Sequence, residues 1–305
     1  MYPELISPRL EKFFVTAKER HIIYIVKQCG LPRPWSADSQ FNTWYFCNVF
    51  RQLDKVTVWI KKNVIDVYAD DPDLWAKIIL ARRLSRIESM EAVKKAGGFD
   101  DFDRARETLN YMKAVGIPVI TNAFIMGIPD PSLGDNKVDY IFNLIEFYRK
   151  LHIAEFLETK PSIERMTIWL KQAPNMAGFL SYEVASDFTY CRYLKDAPDT
   201  YTWANPGPGC KRGLNVILYG VPNFRSIPDE IAVMTMGGIL SSWREYVRIH
   251  LDDWMAEAAR RAGADNREYA VTEMSRFYSL TMREVEHWLC EFDKHERVGK
   301  NKRRY

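Results

Sequence analysis

Apolar residues recur along most of this chain at the three- and four-residue spacing of an amphipathic helix. The stretches 10–30, 137–151 and 281–297 each place their apolar side chains on one helical face, the pattern of a helix that packs on a core. An alternating strand pattern occurs in one short segment, NVILYGV at 215–221. The sequence therefore predicts an all-α fold, one compact multi-helix domain over 1–305, with a division into lobes 1–135 and 136–305 left open.

The composition limits the functional classes. With 305 residues and 47% hydrophobic residues the chain can fill a large core, and 43 Lys and Arg against 40 Asp and Glu do not by themselves indicate nucleic acid. The five cysteines are scattered without a C-x-x-C pair, so we expect neither disulfides nor a metal site. We find no signal-peptide pattern and no apolar run near the ~20 residues of a membrane span, so we expect a cytoplasmic protein without a membrane partner.

The stretch Pro32–Ile60 is the most unusual part of the chain. A continuous helix over 41–63 would bury one apolar face and would present Asn48, Arg51 and Lys55 on the other, between Trp44 and Trp59. Two Trp residues seldom lie on a solvated face, because each leaves a large apolar area in water. Either a second protein layer covers this face or a substrate stacks there.

A second unusual stretch runs from Thr202 to Asn215. Its Gly and Pro residues predict a rigid, compact loop at 206–213, on which Lys211 and Arg212 lie beside exposed backbone amides, an arrangement that suits an anion. The alternative is a simple connection between helices with two solvated cations. The order of residues in a nucleotide-kinase phosphate loop occurs nowhere in the chain.

Two further features point weakly toward DNA. The turn at 173–178 lies between two predicted helices, and such a turn can present backbone amides to a phosphate, as in helix-hairpin-helix elements. The basic tail 297–305 carries five cations, which contact a nucleic-acid backbone in some proteins and are merely solvated in others.

Three stretches together resemble a known family: PRPWSADSQFNTWYFCNVFRQLDKVTVWI, NPGPGCKRGLN and WLCEFDKHERVGKNKRRY. They are similar to the helical proteins of bacteriophage thymine hypermodification. This group includes the helical domain that accompanies 5-hydroxymethyluracil DNA kinases and the α-glutamyl/putrescinyl-thymine pyrophosphorylases, also called amino acid:DNA transferases. The positions that match the first motif are Trp35, Phe46, Cys47, Asn48, Val49, Arg51, Asp54 and Thr57.

The resemblance implies a fold like that of helix-hairpin-helix DNA glycosylases and a displacement reaction on double-stranded DNA in a phage-infected bacterial host. An amine, either an amino acid or a polyamine, would replace the pyrophosphate of 5-pyrophosphorylmethyluracil on a flipped base. No cofactor is firmly implied, although Mg²⁺ could accompany the pyrophosphate, and a DNA kinase of the same pathway could be a partner.

The resemblance also suggests roles for particular residues. The carboxylates to test as catalytic groups are Glu183, Asp187, Glu291 and Asp293. The residues expected to bind the base or the substrate are Trp35, Trp44, Asn48, Arg51, Asp54 and Lys55. Those expected to contact phosphate or DNA are Asn205, Gly207, Gly209, Lys211, Arg212, Lys294, Arg303 and Arg304.

Two other functions remain open at this point. The chain could be a non-catalytic DNA-binding partner of a 5-hydroxymethyluracil DNA kinase, because the same helical domain occurs beside kinase domains. It could also be a glycosylase or lyase acting on a modified thymine. A lyase is expected to carry a Lys near the hairpin, and Ala177-Gly178-Phe179 has none.

Overall fold

The structure is a computed structural model that describes residues 7–121 and 130–297, and within these ranges the regular secondary structure is helical, which confirms the all-α prediction. The α-helices are α1 (Pro8–Gln28), α2 (Ser39–Thr43), α3 (Lys55–Ile60), α4 (Leu74–Leu84), α5 (Ile87–Lys95), α6 (Phe102–Ala114), α7 (Lys137–Lys150), α8 (Ile153–Glu158), α9 (Ile163–Leu170), α10 (Gly178–Phe188), α11 (Pro208–Tyr219), α12 (Asp229–Ala262), α13 (Arg267–Met274) and α14 (Met282–Glu296). Short 3-10 turns cover Arg51–Leu53, Pro131–Leu133, Ala264–Asn266 and Ser275–Ser279, and Lys61–Ile65 forms a π-helical turn.

The chain divides into two compact units. Unit 1 consists of Met1–Arg51 together with Thr200–Tyr305, and unit 2 consists of Gln52–Asp199. Unit 1 is therefore built from both ends of the chain. The alternative lobe boundary at 135/136 lies inside unit 2.

In unit 2, helix α4 is buried along its whole length. Its basic side chains are buried with it: Arg83 is 2% exposed, and its guanidinium lies 5.3 Å from the centre of the Tyr140 ring. The helices on either side of the predicted turn at 173–178 are present as α9 and α10. Asn175 takes a left-handed conformation in that turn, with φ of 60°.

In unit 1, the core is an aromatic cluster shared by α1, α12 and α14. The ring centre of Phe13 lies 5.1 Å from that of Trp243 and 5.5 Å from that of Phe292. Trp288 donates its indole N–H to the carbonyl of Phe13 over 3.1 Å, which satisfies a polar atom that would be costly to bury alone. Helix α12 runs unbroken through Gly237 and Gly238.

Helices α11 and α14 of unit 1 pack unusually closely. A Cβ added at Gly213 would lie 2.2 Å from the carbonyl oxygen of Leu289, and one added at Gly209 would lie 2.3 Å from Cys290 Sγ. These glycines stand four residues apart, so they lie on the same face of α11. Small residues on this face let the two backbones approach each other.

One prediction for this region is wrong. The predicted loop at 206–213 is largely the first part of α11, which Gly207 caps and Pro208 begins. Proline is well suited to the first turn of a helix, since its fixed φ is helical and the missing N–H is not needed there. The segment 215–221, noted above for its alternating strand pattern, includes the last part of the same helix, which ends at Tyr219 and is followed by Gly220 with a left-handed φ of 81°.

The continuous helix predicted over 41–63 is also wrong. Helix α2 ends at Thr43, residues 45–48 have no regular structure, and α3 begins at Lys55. Within unit 1, side chains from distant helices bond the backbone of residues 46 and 47, where the helix is interrupted. Such bonds replace those that a helix would have supplied.

Candidate active site

The segment 46–48 of unit 1 is held in an open conformation by α1 and α14. Arg20 donates to the carbonyl oxygen of Phe46 from Nε (3.2 Å) and Nη2 (3.0 Å), and its Nη2 also donates to Asn48 Oδ1 at 2.6 Å. The backbone N–H of Cys47 donates to Glu291 Oε2 at 2.8 Å. Arg20 is 5% exposed and Glu291 is 8% exposed, so both side chains act as buried clamps on this segment.

Helix α14 presents two titratable groups next to this segment. Burial raises the pKa of Glu286 to about 7, although the nearby Arg51 and Arg283 guanidiniums act in the opposite direction. Burial also lowers the pKa of His287 to about 3, with Arg51 and Arg283 adding to the effect and a hydrogen bond to the Asn48 backbone opposing it. Near pH 7, therefore, Glu286 can take up or release a proton, whereas His287 stays neutral.

Glu286, on α14, points its carboxylate toward the start of α11. Its Oε1 is 3.9 Å from the point where a Cβ on Gly207 would be, and Gly207 is the residue that caps this helix. The side chain is partly buried. Together with the contacts of Cys47 and Asn48, this position brings parts of the three unusual stretches into one region of unit 1.

Two thiols of this region, Cys210 and Cys290, are not activated. Cys210 lies on α11 and Cys290 on α14, and burial raises the pKa of both, that of Cys290 to about 12. A thiol in this condition stays protonated at neutral pH and is a poor nucleophile. Cys290 packs against Gly209, so we assign it a packing role and no catalytic role.

The carboxylates predicted on α14 have structural partners. Asp293 is 1% exposed; it accepts from Arg212 Nε at 2.8 Å and from Arg297 Nε at 2.7 Å. Glu291 holds the Cys47 N–H and lies 3.4 Å from Lys294 Nζ. These contacts favour positioning roles for both carboxylates over proton transfer.

Glu183 and Asp187 lie on α10 of unit 2. Asp187 is completely buried and accepts from Arg82 Nη2 at 2.7 Å, while the same guanidinium donates to Thr57 Oγ1 at 3.0 Å. Glu183 Oε2 is 4.0 Å from Arg82 Nη1. This buried ion pair joins α10 to α4.

The predicted base-binding residues are spread over both units. Trp35, in unit 1, has Lys27 Nζ 4.5 Å and Arg33 Cζ 4.4 Å from its ring centre, so cations already lie against this ring. Trp44 is the C-cap residue that follows α2 and is partly buried. Asp54 and Lys55 stand at the start of α3 in unit 2.

The predicted phosphate-binding residues of 205–213 line the start of α11. Asn205 and Gly207 precede the helix, and Lys211 lies within it, 2.5 Å from Asp229 Oδ1. Lys294 of α14 lies 4.9 Å from the centre of the Phe46 ring. Arg303 and Arg304 lie outside the described residues.

Four residues of the candidate site are not among those predicted from the sequence: Arg20, Arg283, Glu286 and His287. Their signal was weak but present, since Arg20 and His21 interrupt the apolar pattern of α1, and Glu286-His287 directly precede the buried Trp288. A charged residue beside a core position either has a buried partner or has a function.

Fold and site together define an all-α protein in which a protonatable carboxylate and two guanidiniums gather beside a closely packed helix pair. Comparison with known families then identifies the chain more closely: it belongs to the family described as "5-hmdU DNA kinase, helical domain", whose profile matches residues 7–304. The family resemblance drawn from the three stretches is thereby confirmed.

A curated relative is the "5-hmdU DNA kinase" of Bacillus phage SP10. It is 27% identical over 321 residues, an alignment that covers 96% of this chain and 46% of the relative. The chain thus spans about half the length of the curated relative that it matches. The comparison with solved structures finds no match, so the likeness to helix-hairpin-helix glycosylases stays a prediction. Among the helices within 7–121 and 130–297, none has both the length and the apolar character needed to cross a bilayer.

Proposed function

We propose that this chain is a DNA-modifying transferase of phage thymine hypermodification, in which an amine displaces pyrophosphate from 5-pyrophosphorylmethyluracil. The observation that carries the proposal is the position of Glu286 beside Arg51 and Arg283, with a pKa of about 7. Membership of the 5-hmdU DNA kinase helical family supports a thymine-modification pathway. The phage relative, named as a 5-hmdU DNA kinase, also supports a thymine-modification pathway.

In the proposed reaction, the ammonium group of the incoming amine transfers a proton to the Glu286 carboxylate. The freed nitrogen lone pair then forms a bond to the methylene carbon on C5 of uracil. The carbon–oxygen bond to pyrophosphate breaks, and the pyrophosphate leaves with the electron pair. Arg51 and Arg283 would stabilise the negative charge on that leaving group, an electrostatic role in which preorganised cations are effective.

The remaining residues would support this arrangement. Arg20 and Glu291 fix the segment that carries Asn48, so the Asn48 side chain is held in place for contact with a base edge. Neutral His287 bonds the Asn48 backbone and adds no positive charge that would repel an ammonium nucleophile. Mg²⁺ remains a predicted companion of the pyrophosphate, and assays with and without Mg²⁺ test it.

The test uses duplex DNA that carries 5-pyrophosphorylmethyluracil, mixed with amino acids and polyamines, and nucleoside mass spectrometry of the product. We expect an aminated thymine from the wild type. Glu286→Gln should lower the rate roughly 100- to 10,000-fold, the usual contribution of a general base. The control variant is Glu245→Gln, which changes an exposed carboxylate of α12 and should leave the rate unchanged. Hydrolysis alone, or unchanged DNA, would refute the transferase.

A second candidate is a DNA-binding domain that presents modified thymine to a kinase. It is favoured by one observation, the kinase name of a relative that is about twice as long as this chain. In that case the chain would bind DNA and would yield no aminated base with any amine. Adding a 5-hydroxymethyluracil DNA kinase and measuring phosphate transfer would then show stimulation by this chain.

A further inference from the structure

A second cationic surface lies in unit 1 along α11 and the segment that follows it. The first two turns of α11 and the segment 222–227 line an open pocket of about 380 Å³, which is within the size range of small-ligand sites. Three cations, Lys211, Arg212 and Arg225, line it, together with Asn215, Asn223 and Ser226. Neither Glu286 nor His287 lines this pocket, so it is a different feature from the candidate active site.

Aromatic rings stand next to these cations. The rings of Tyr219 and Phe224 are stacked, with centres 4.5 Å apart and planes inclined by 26°. The guanidinium carbon of Arg225 lies 5.0 Å from the centre of the Tyr219 ring. Phe224 is 59% exposed, so a large part of an already stacked ring faces solvent.

Charge and ring stacking together indicate what this surface fits. Lys211 is paired with Asp229 and Arg212 with Asp293, while Arg225 projects from an exposed position with an aromatic neighbour. Arg9 adds a further cation, because its guanidinium lies against Gly220 at the end of α11. Exposed aromatic rings bordered by cations are the usual means by which proteins bind single-stranded nucleic acid.

The pocket itself is held in shape by Asn215. This side chain is 3% exposed, and its Nδ2 donates to the backbone carbonyl of Arg225 over 2.9 Å. The bond ties the 222–227 segment to α11, so Phe224 and Arg225 are presented by an anchored loop. Anchoring lowers the entropy that a ligand must remove on binding.

We propose that this surface binds an unpaired nucleotide of the DNA strand, with its base stacked on Phe224 and its phosphate in the pocket lined by Lys211, Arg212 and Arg225. The proposal rests on the proposed function in one respect, since that function makes DNA the substrate. It adds the surface that holds the strand while a neighbouring base is modified.

The experiment measures fluorescence anisotropy with unmodified DNA: a 20-nucleotide single strand, a duplex with one unpaired thymine, and a fully paired duplex. Unmodified DNA makes binding independent of transferase turnover. We expect the first two probes to bind more tightly than the paired duplex. Phe224→Ala should weaken their binding roughly 5- to 100-fold, the range reported for loss of one stacking ring, and Phe224→Trp should retain it.

Arg225→Ala should lower the slope of log Kd against log salt by about 1, as expected for one lost phosphate contact. The matched controls are Tyr278→Ala, at a 63% exposed ring, and Arg248→Ala, at an exposed cation on α12; neither residue lines the pocket. All four changed residues are largely exposed, so thermal melting should show unchanged stability.

Equal affinities of Phe224→Ala and Tyr278→Ala would overturn the proposal. A second outcome would also overturn it: calorimetry shows that a free amino acid binds, and Arg225→Ala abolishes that binding but leaves the affinity for DNA unchanged. The pocket would then be a site for a small molecule. The two proposals fail separately. If no aminated thymine forms but Phe224→Ala still weakens DNA binding, the transferase is refuted and the nucleotide surface stands.

Discussion

The close packing of α11 on α14 makes a sharp prediction for Gly213→Ala. The new Cβ would lie 2.2 Å from the Leu289 carbonyl oxygen and 2.8 Å from its carbonyl carbon, whereas ordinary contact begins at 3.4 Å. Both neighbours are backbone atoms, so no side chain can rotate away, and the helices must separate by about 1 Å. Overpacking of this kind costs roughly 1 to 3 kcal/mol or more. Alanine regains less than about 1 kcal/mol through helix propensity.

We therefore expect Gly213→Ala to lower the free energy of unfolding by about 2 kcal/mol. The measurement is urea unfolding followed by circular dichroism, and thermal melting should show a fall of roughly 3 °C.

The matched control is Gly238→Ala, inside α12 and exposed, where an added Cβ meets nothing within 4 Å. That variant should be more stable than the wild type by about 0.5 to 1 kcal/mol, because alanine orders the helix at lower entropic cost. The reasoning fails if both substitutions change stability in the same direction. It also fails if Gly213→Ala unfolds at the wild-type urea concentration.

Three further outcomes are expected. Asp187→Asn should destabilise the protein by roughly 3 to 5 kcal/mol in urea unfolding, because the buried Arg82 charge loses its hydrogen-bonded carboxylate and keeps only Glu183, at 4.0 Å; a fully stable variant would contradict the buried ion pair. Burial raises the pKa of Glu286 from 4.5 to about 7, so this side chain stabilises the protein below pH 4.5 and that stabilisation is lost as the pH rises through 7. The decline in the free energy of unfolding should be about 3 kcal/mol in all. Unfolding measured from pH 4.5 to 8.5 should show no such decline for Glu286→Gln. Gly209→Ala should lower the free energy of unfolding less in the Cys290→Ala background than in the wild type, since the Sγ atom that the new Cβ would meet at 2.3 Å is absent there. Additive effects of the two substitutions in a double-mutant cycle would count against this contact.

The local sequence determined the class of fold and most of the individual helices. The apolar spacing over 137–151 corresponds to α7 at Lys137–Lys150, and the spacing over 281–297 corresponds to α14 at Met282–Glu296. The Thr281 capping box marks the start of α14 with side chains three residues apart. Such features involve neighbours within a turn or two of helix, so they can be read from the chain itself. The family resemblance rested likewise on continuous stretches.

Tertiary structure decided the conformation and chemistry of the stretch Pro32–Ile60 and of the α14 face near it. The backbone N–H of Cys47 finds its acceptor on Glu291, 244 positions away, and the carbonyl of Phe46 finds its donor on Arg20. The glycines of α11 serve close helix packing, which depends on the partner helix. The pKa of Glu286 depends on its burial in the folded chain and on the charge of Arg51, which is 235 positions away. Desolvation and long-range hydrogen bonds arise only when distant segments come together, which is why local patterns indicated the important stretches without assigning their roles.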